Sequence, residues 1–386
     1  MWSSLRRVNW LSFVTMLALI GVGTVAIWSS GNAREAVFHG MWKNAVGSAV
    51  IGLVLYVALA AVDYRRVLTW FSAPSYVAAL VMLTAVLWLG KDIYGGKRWL
   101  WFFQPSEVSK LCILALLAQV FGNVTAPSWI RGFKGLLLGG ALFGVPALLI
   151  LKEPDLGTTL ALVPAVLAML LAAGVWRRGL TVMLVVGGIL AAALLCAVQE
   201  AERPGTPAAK RERILRCVPL KPHQVRRVKT FLYPESDPYG AGYNLQQAKV
   251  AIGSGGLRGK GIGQAETNRL QYLPPSVSMN DFIFCVWAEE TGYLGSLALL
   301  SLFGLLCLSG VWTAWVATDL RGRLFALGFT TLVFAHVYVN IGMSIGLVPI
   351  TGLPLPFISS GRTFLLTVMA GFGLMQSVSI HREEIT

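Results

Sequence analysis

The sequence predicts an all-α polytopic membrane protein of about ten transmembrane helices, with a large extracytoplasmic loop between the seventh and the eighth. Three observations predict it. Hydrophobic residues make up 55% of the 386 positions and charged residues 13%, against about 25% charged in soluble domains, and mean hydropathy is +0.66. The apolar residues come in continuous runs of about twenty, the length one helix needs to cross a bilayer, without the alternation of a membrane barrel. Six short segments rich in Arg and Lys fall on one parity of a ten-helix count, as the positive-inside rule requires.

The runs lie at about 9–28, 43–62, 73–90, 104–122, 133–151, 156–174, 180–198, 282–310, 324–348 and 363–380. The first follows Arg6 and Arg7; it is long and lacks a small-residue cleavage site, so it reads as an uncleaved helix and not a signal peptide. Arg65 and Arg66, Arg131 and Lys134, Arg177 and Arg178, Arg321 and Arg323, and His381 with Arg382 share its side, which puts both termini in the cytoplasm. No internal repeat is evident, so the chain reads as one membrane domain with residues 199–281 as a loop within it. In a membrane protein much of a formal charge such as this +14 is normally positive-inside bias and not a sign of nucleic-acid binding. The five cysteines form no disulfide framework or metal spacing, and the four histidines are scattered.

Two outer segments break the charge rule. One precedes the fourth span and carries Lys91, Lys97 and Arg98. The other is the long loop, whose thirteen bases and six acids ahead of Asp281 leave about +7 where Lys and Arg should be scarce. Long loops cross regardless of charge, so this is either a solvated loop or a phosphate-binding surface. Within it, Gly253-Ser254-Gly255-Gly256-Leu257-Arg258-Gly259-Lys260-Gly261 follows Lys249. Interleaved bases could hold a pyrophosphate, or the glycines could be structural; the spacing is not that of a P-loop.

Inside the spans, acids need a reason. Glu107 and Lys110 sit three apart and can pair on one helix face, either to fix packing or to line a cavity. Asp155 and Thr158 suit a helix N-cap, and Asp155 could equally bind a metal or position a base. Asp281 stands at the mouth of the eighth span, where a carboxylate is costly to desolvate. Glu289 and Glu290 follow two turns later and must face the bundle interior or water. After Asn340, Pro349, Pro354, Pro356 and Gly352 break a helix near its outer end, which is tolerated where backbone lines a cavity or packs on protein.

Taken together, these blocks resemble the SEDS family of bacterial wall polymerases, the family of RodA, FtsW and SpoVE. The resemblance rests on Gly96-Lys97-Arg98-Trp99, Gln104-Pro105-Ser106-Glu107 with Lys110, and Pro154-Asp155-Leu156-Gly157-Thr158. It continues through Thr230-Phe231-Leu232, Asp237-Pro238-Tyr239-Gly240-Ala241-Gly242-Tyr243, Gln247 and Gly253 to Gly261. It ends with Asp281-Phe282-Ile283-Phe284, Glu289-Glu290, Asn340 and Gly352-Leu353-Pro354-Leu355-Pro356-Phe357-Ile358-Ser359. The blocks are in order and span nearly the whole chain; Ala288-Glu289-Glu290 and the short tail are most like RodA. The departures are Met279 and Asn280 where the family usually has His-Thr, Ser360-Gly361-Arg362-Thr363 in place of Tyr-Gly-Gly-Ser, and an insertion over 200–224.

The resemblance implies a glycosyltransferase of the cytoplasmic membrane, active at its outer face, that polymerises lipid II into glycan strands for wall elongation and cell shape, surrounded by membrane lipids and partnered by a class B penicillin-binding protein. The family's essential Asp falls on Asp281, the expected general base. Lys97, Arg98, Arg226, Lys249 and Lys260 are the expected holders of the leaving pyrophosphate, with Glu107, Lys110 and Asp155 lining the substrate site. A divalent cation, magnesium or manganese, would assist such chemistry, although no metal constellation is readable. The rival readings are a flippase for lipid-linked precursors, which would depend on Glu107, Glu289 or Glu290, and a scaffold tolerant of changes at Asp281.

Overall fold

The structure is a computed structural model that describes residues 7–32, 40–93, 96–100, 103–123, 125, 127–203, 205–218 and 222–382. In chain order the helices are α1 (Trp10–Asn32), α2 (Met41–Ala61), α3 (Tyr64–Leu89), α4 (Pro105–Gly122), α5 (Phe133–Lys152), α6 (Leu156–Ala172) and α7 (Arg177–Glu202). Then follow α8 (Ala208–Cys217), α9 (Pro222–Leu232), α10 (Ala241–Ser254), α11 (Glu266–Arg269), α12 (Pro275–Ser278), α13 (Ile283–Val316), α14 (Leu320–Ile345) and α15 (Arg362–Ile380). The extended elements among the described residues form one short antiparallel hairpin, β1 (Lys91–Ile93) with β2 (Gly96–Trp99). The chain is all-α and polytopic.

Nine of these helices are long and apolar enough to cross a membrane, and the 17-residue α6 is a shorter apolar tenth. Several boundaries differ from the sequence expectation. The third span starts at Tyr64, not near 73, because Asp63 caps it by accepting from the Arg65 amide. The eighth runs to Val316, and α7 runs to Glu202, so the seventh crosses further than its apolar run suggests. The segment after α7 is built of helices α8 to α12. The 200–224 insertion is tied back by ion pairs of Glu202 with Arg211 at 2.7 Å and Lys229 at 2.9 Å, and of Glu200 with Lys210 at 2.6 Å.

Helices α4, α14 and α15 are mostly buried and form the centre of the bundle, whereas α7 is almost wholly outward-facing. Phe325, Phe329 and Phe372 pack ring against ring in that centre. The basic loops gather at one end: Tyr64 Oη donates to Asp319 at 2.6 Å, Arg7 to the Arg382 carbonyl at 2.8 Å, and Arg65 to Thr318 at 3.1 Å.

Helix α13 breaks at Gly292, where φ is +67° and a Cβ would lie 2.3 Å from the Gly259 amide nitrogen. The break frees backbone groups that an apolar environment would leave unpaired. The Gly-rich segment satisfies them: Lys260 and Gly261 amides donate to the Glu289 and Glu290 carbonyls at 3.0 and 2.9 Å, and Tyr293 and Leu294 amides donate to Gly256 and Leu257 at 2.8 and 3.1 Å. The Gly-rich segment of residues 253–263 is therefore a backbone clasp on α13, which gives its glycines a structural role.

Candidate active site

At the end of the bundle away from the basic loops, four charged side chains from four segments act on one another: Arg98 on β2, Asp155 capping α6, Arg227 on α9 and Asp281 before α13. Local structure puts each there. Arg98 donates through Nε to the Glu153 carbonyl at 3.1 Å and through its Nη2 to the Pro154 carbonyl, which fixes the hairpin over the α5–α6 turn. Asp155 accepts from the Thr158 amide at 3.2 Å and its hydroxyl at 2.9 Å, closing the first turn of α6. Arg227 reaches the Thr351 carbonyl at 3.4 Å. Asn340 holds the Asp281 backbone: its Nδ2 donates to the Asp281 carbonyl at 2.9 Å and to the Leu353 carbonyl at 2.7 Å.

The 351–361 loop completes the wall. Gly352 has φ +74°, and a Cβ there would sit 3.3 Å from Asp281 Oδ2, so only glycine both takes this backbone and lets the carboxylate approach. Ser359 Oγ donates to the Asn280 carbonyl at 2.6 Å and accepts from the Leu355 amide at 2.8 Å. Ser360 Oγ donates to Asn280 Oδ1 at 2.6 Å. Two departures from the family pattern, Asn280 and Ser360, thus bond to each other.

The electrostatics of the cluster follow from burial and charge. Burial pushes the half-buried Asp281 carboxyl up to about 6; Arg227 and Arg98 pull it down, and Asp155 pushes it up. Burial and then the neighbouring Arg98 lower Arg227, the mark of two guanidiniums brought close, with Asp155 and Asp281 offsetting them. Glu153 is buried, both its carboxyl oxygens lack a hydrogen-bond partner among the described residues, and burial with Asp155 lifts it to about 8, which favours the protonated form at pH 7.

The other expected site residues lie elsewhere or are differently engaged. Arg226 points outward and pairs at 3.1 Å with Asp237, its own side chain 70% exposed; its neighbour Arg227 is the one turned to Asp281. A helix turns adjacent residues about 100° apart, and without the helix register of α9 the two are indistinguishable in sequence. Lys260 is committed to Glu289 at 2.9 Å and Glu266 at 3.2 Å. Lys249 lies over Gly346 at the end of α14. Lys97 is in β2, and its side chain lies outside the described residues.

Glu107 and Lys110 are buried and pair at 2.7 Å. Lys110 Nζ also lies 3.0 Å from His336 Nε2, while His336 Nδ1 lies 3.3 Å from the Pro354 carbonyl. A cationic lysine makes Nε2 the acceptor and Nδ1 the protonated nitrogen. This chain therefore braces the 351–361 loop from behind. Glu289 and Glu290 are also buried and bonded: Glu289 accepts from the Glu266 amide at 2.9 Å as well as Lys260, and Glu290 from Ser29 and the Gly263 amide. Among the described residues no group of three or more His, Cys, Asp or Glu is placed to hold a metal. Asp155 and Asp281 are flanked by two guanidiniums, a donor set that does not fit a protein-held cation.

Known proteins share this architecture. Residues 9–384 match the family model for FtsW, RodA and SpoVE, described as cell cycle protein. The chain is 36% identical over 377 residues to the peptidoglycan glycosyltransferase MrdB of Escherichia coli K12, covering 96% of this chain and 93% of that protein. It is 30% identical over 384 residues to the stage V sporulation protein E of Bacillus subtilis, covering 96% of each. The solved rod shape determining protein RodA of Thermus thermophilus superposes with TM-score 0.68 at 27% identity over 98% of both chains. A chain of a peptidoglycan synthase complex, solved for its coordination of polymerization and crosslinking, superposes with TM-score 0.73 at 29% identity over 97% of this chain and 98% of that one.

Proposed function

The chain belongs to the FtsW/RodA/SpoVE family, and on that premise we propose that it is a peptidoglycan glycosyltransferase that polymerises lipid II with Asp281 as its general base. It is a multi-pass membrane protein. In this reading the membrane is the bacterial cytoplasmic membrane, both termini are cytoplasmic and Asp281 faces outward. The support is the gathering of the basic loops at the end opposite Asp281, the positive-inside pattern. A class B penicillin-binding protein is the partner, a reading supported by the likeness to a chain from a synthase complex.

The observation that carries the mechanism is the charge set around Asp281. The donor is a sugar whose anomeric carbon is bound to a polyprenyl pyrophosphate. The acceptor is a sugar hydroxyl. As the hydroxyl oxygen bonds to the anomeric carbon, Asp281 takes its proton, and the anomeric carbon–oxygen bond breaks with both electrons leaving on the pyrophosphate. A carboxyl near 6 is mostly ionised at pH 7 yet basic enough to accept the proton, a balance worth about a hundred- to ten-thousand-fold. Pyrophosphate needs no proton to leave, but its charge must be met. Arg98 and Arg227 are the cations at hand, and a guanidinium fork suits phosphate oxygens. Held by backbone carbonyls before substrate arrives, they need little reorganisation. Asp155 offsets the charge of Arg227, and Asn340 keeps Asp281 against the 351–361 loop.

The flippase reading would make Glu107, Glu289 or Glu290 the carriers, but each is buried and engaged by Lys110, Lys260 or Ser29 and the Gly263 amide, so no observation favours it. The direct test is glycan-strand formation from purified lipid II by the purified protein with a class B partner and magnesium or manganese present. Polymer is the expected product. A folded, partner-bound protein that makes none would overturn the assignment.

A further inference from the structure

Between α5, α6 and α7 lies an apolar groove of about 810 Å³, lined among others by Leu136, Gly140, Val166, Leu170 and Val182, with Arg178 at its edge. It belongs to the end of the bundle away from Asp281. Its α6 residues run from Val163, midway along that 17-residue helix, to Leu170 near its far end, while Asp155 caps the opposite end, and 17 residues of helix span about 25 Å. The far end is built deliberately. The Trp176 amide donates to the Arg131 carbonyl at 2.8 Å, so the α6–α7 turn is joined to the start of α5. The Trp176 indole meets Phe133 edge-on at 5.3 Å and lies across Gly179, where a Cβ would be 2.0 Å from the ring. Arg178 lines the groove itself, and Arg131, Lys134 and Arg177, all exposed like it, stand within two residues of its lining residues Phe133, Trp176 and Arg178. No Asp or Glu occurs over residues 108–152 or 156–199 to balance them.

We infer that this groove binds an anionic glycerophospholipid of the surrounding bilayer, with its acyl chains along α5, α6 and α7 and its phosphate among Arg131, Lys134, Arg177 and Arg178. The volume is in the range of small-molecule sites, about 300–1,000 Å³. Basic mouths between membrane helices select acidic headgroups, each base contributing about fivefold in affinity near the surface. The bound lipid fills what protein leaves open: α7 is almost wholly outward-facing, yet its far end carries Glu202, which anchors Lys229 on the helix bearing Arg227. The lipid thus supplies packing that keeps α7 against α5 and α6.

Native mass spectrometry of the full chain, purified in detergent and given equal phosphatidylglycerol and phosphatidylcholine, tests this without any glycosyl transfer. The native protein should retain phosphatidylglycerol about tenfold or more over phosphatidylcholine. Arg178→Gln should lower that preference several-fold. Gly140→Leu leaves the topology-setting charges intact and projects into open groove, since nothing lies within 4 Å of a Cβ there; it should reduce retention of both lipids. Equal retention of the two lipids by the native protein would overturn the inference, as would full selectivity in Gly140→Leu. Displacement of the retained lipid by stoichiometric undecaprenyl pyrophosphate would also overturn it, by making the groove a substrate site.

Discussion

Replacing Arg227 with Gln removes one of the two cations that hold Asp281 down and, in the proposed mechanism, one of the two that meet the leaving pyrophosphate, and the two roles separate by pH. Asp281 is held near 6 with Arg227 in place. A nearby opposite charge depresses a carboxyl by about 1–3 units, so loss of Arg227 should raise Asp281 by about one unit, the low end of that range. The active form is the ionised base, present above the raised value and lost as pH falls through it. At pH 6 the ionised share then drops from about one half to about one tenth, a fivefold loss, while at pH 8 it falls only from about 0.99 to about 0.9. The loss of charge stabilisation at the pyrophosphate is separate and persists at every pH, at about a hundred-fold or more by comparison with other preorganised donors. The assay is initial-rate lipid II polymerisation from pH 5 to 9. The expected result is a lower plateau with its acid limb shifted up by about one unit. A variant with an unmoved limb would refute the coupling of Arg227 to Asp281, and one with an unmoved plateau would remove Arg227 from the pyrophosphate.

Three further outcomes follow from the same geometry. Asn340→Ala strips hydrogen bonds from the Asp281 and Leu353 carbonyls; it should cost about 1–3 kcal/mol of stability and lower kcat more than it raises KM, measured by thermal unfolding and initial rates. Gly292→Ala forces a Cβ into the Gly259 backbone at a positive φ; it should fold poorly, with a loss exceeding the 1–3 kcal/mol of a strained φ alone, whereas Gly304→Ala, with open space around it, should behave as the native protein in detergent thermostability. Asn280→Ala and Ser360→Ala break the same 2.6 Å hydrogen bond, so a double-mutant cycle on activity should show coupling of about 0.5–3 kcal/mol; additivity would mean that these two departures from the family pattern do not compensate each other.

The bundle was legible in the sequence because its signal is strong: long apolar runs, and basic loops whose parity agrees with the count. What was illegible depends on helix register and on contacts across the chain. Nothing local distinguishes Arg226 from Arg227, yet one pairs with Asp237 in the open and the other faces Asp281. The Gly-rich segment carries the composition of a phosphate loop, and only the positive φ at Gly292 shows that its amides serve a broken helix. Lys260 stood out as a base in that loop, but Glu289, far along the chain, takes its charge. Nothing local in Glu153-Pro154-Asp155 signals that the Glu153 carboxyl is buried with no hydrogen-bond partner among the described residues. Asp155 and Asp281 could be named because each stands at a helix mouth, where a carboxylate needs a local reason.

The central claim is that Asp281 takes the acceptor proton, and Asp281→Asn in the lipid II polymerisation assay tests it most directly. The comparison is clean because the substitution should not unfold the chain. A carboxyl raised from 3.8 to about 6 penalises the folded state as pH climbs through that window, by at most about 3 kcal/mol at neutral pH for this half-buried group, so the uncharged Asn variant should be as stable as the native protein at pH 7 or more so. With normal insertion, unfolding temperature and partner binding, the variant should make glycan strands at least about a hundred-fold more slowly than the native protein. Strands formed at the native rate by a folded Asp281→Asn protein would contradict the account.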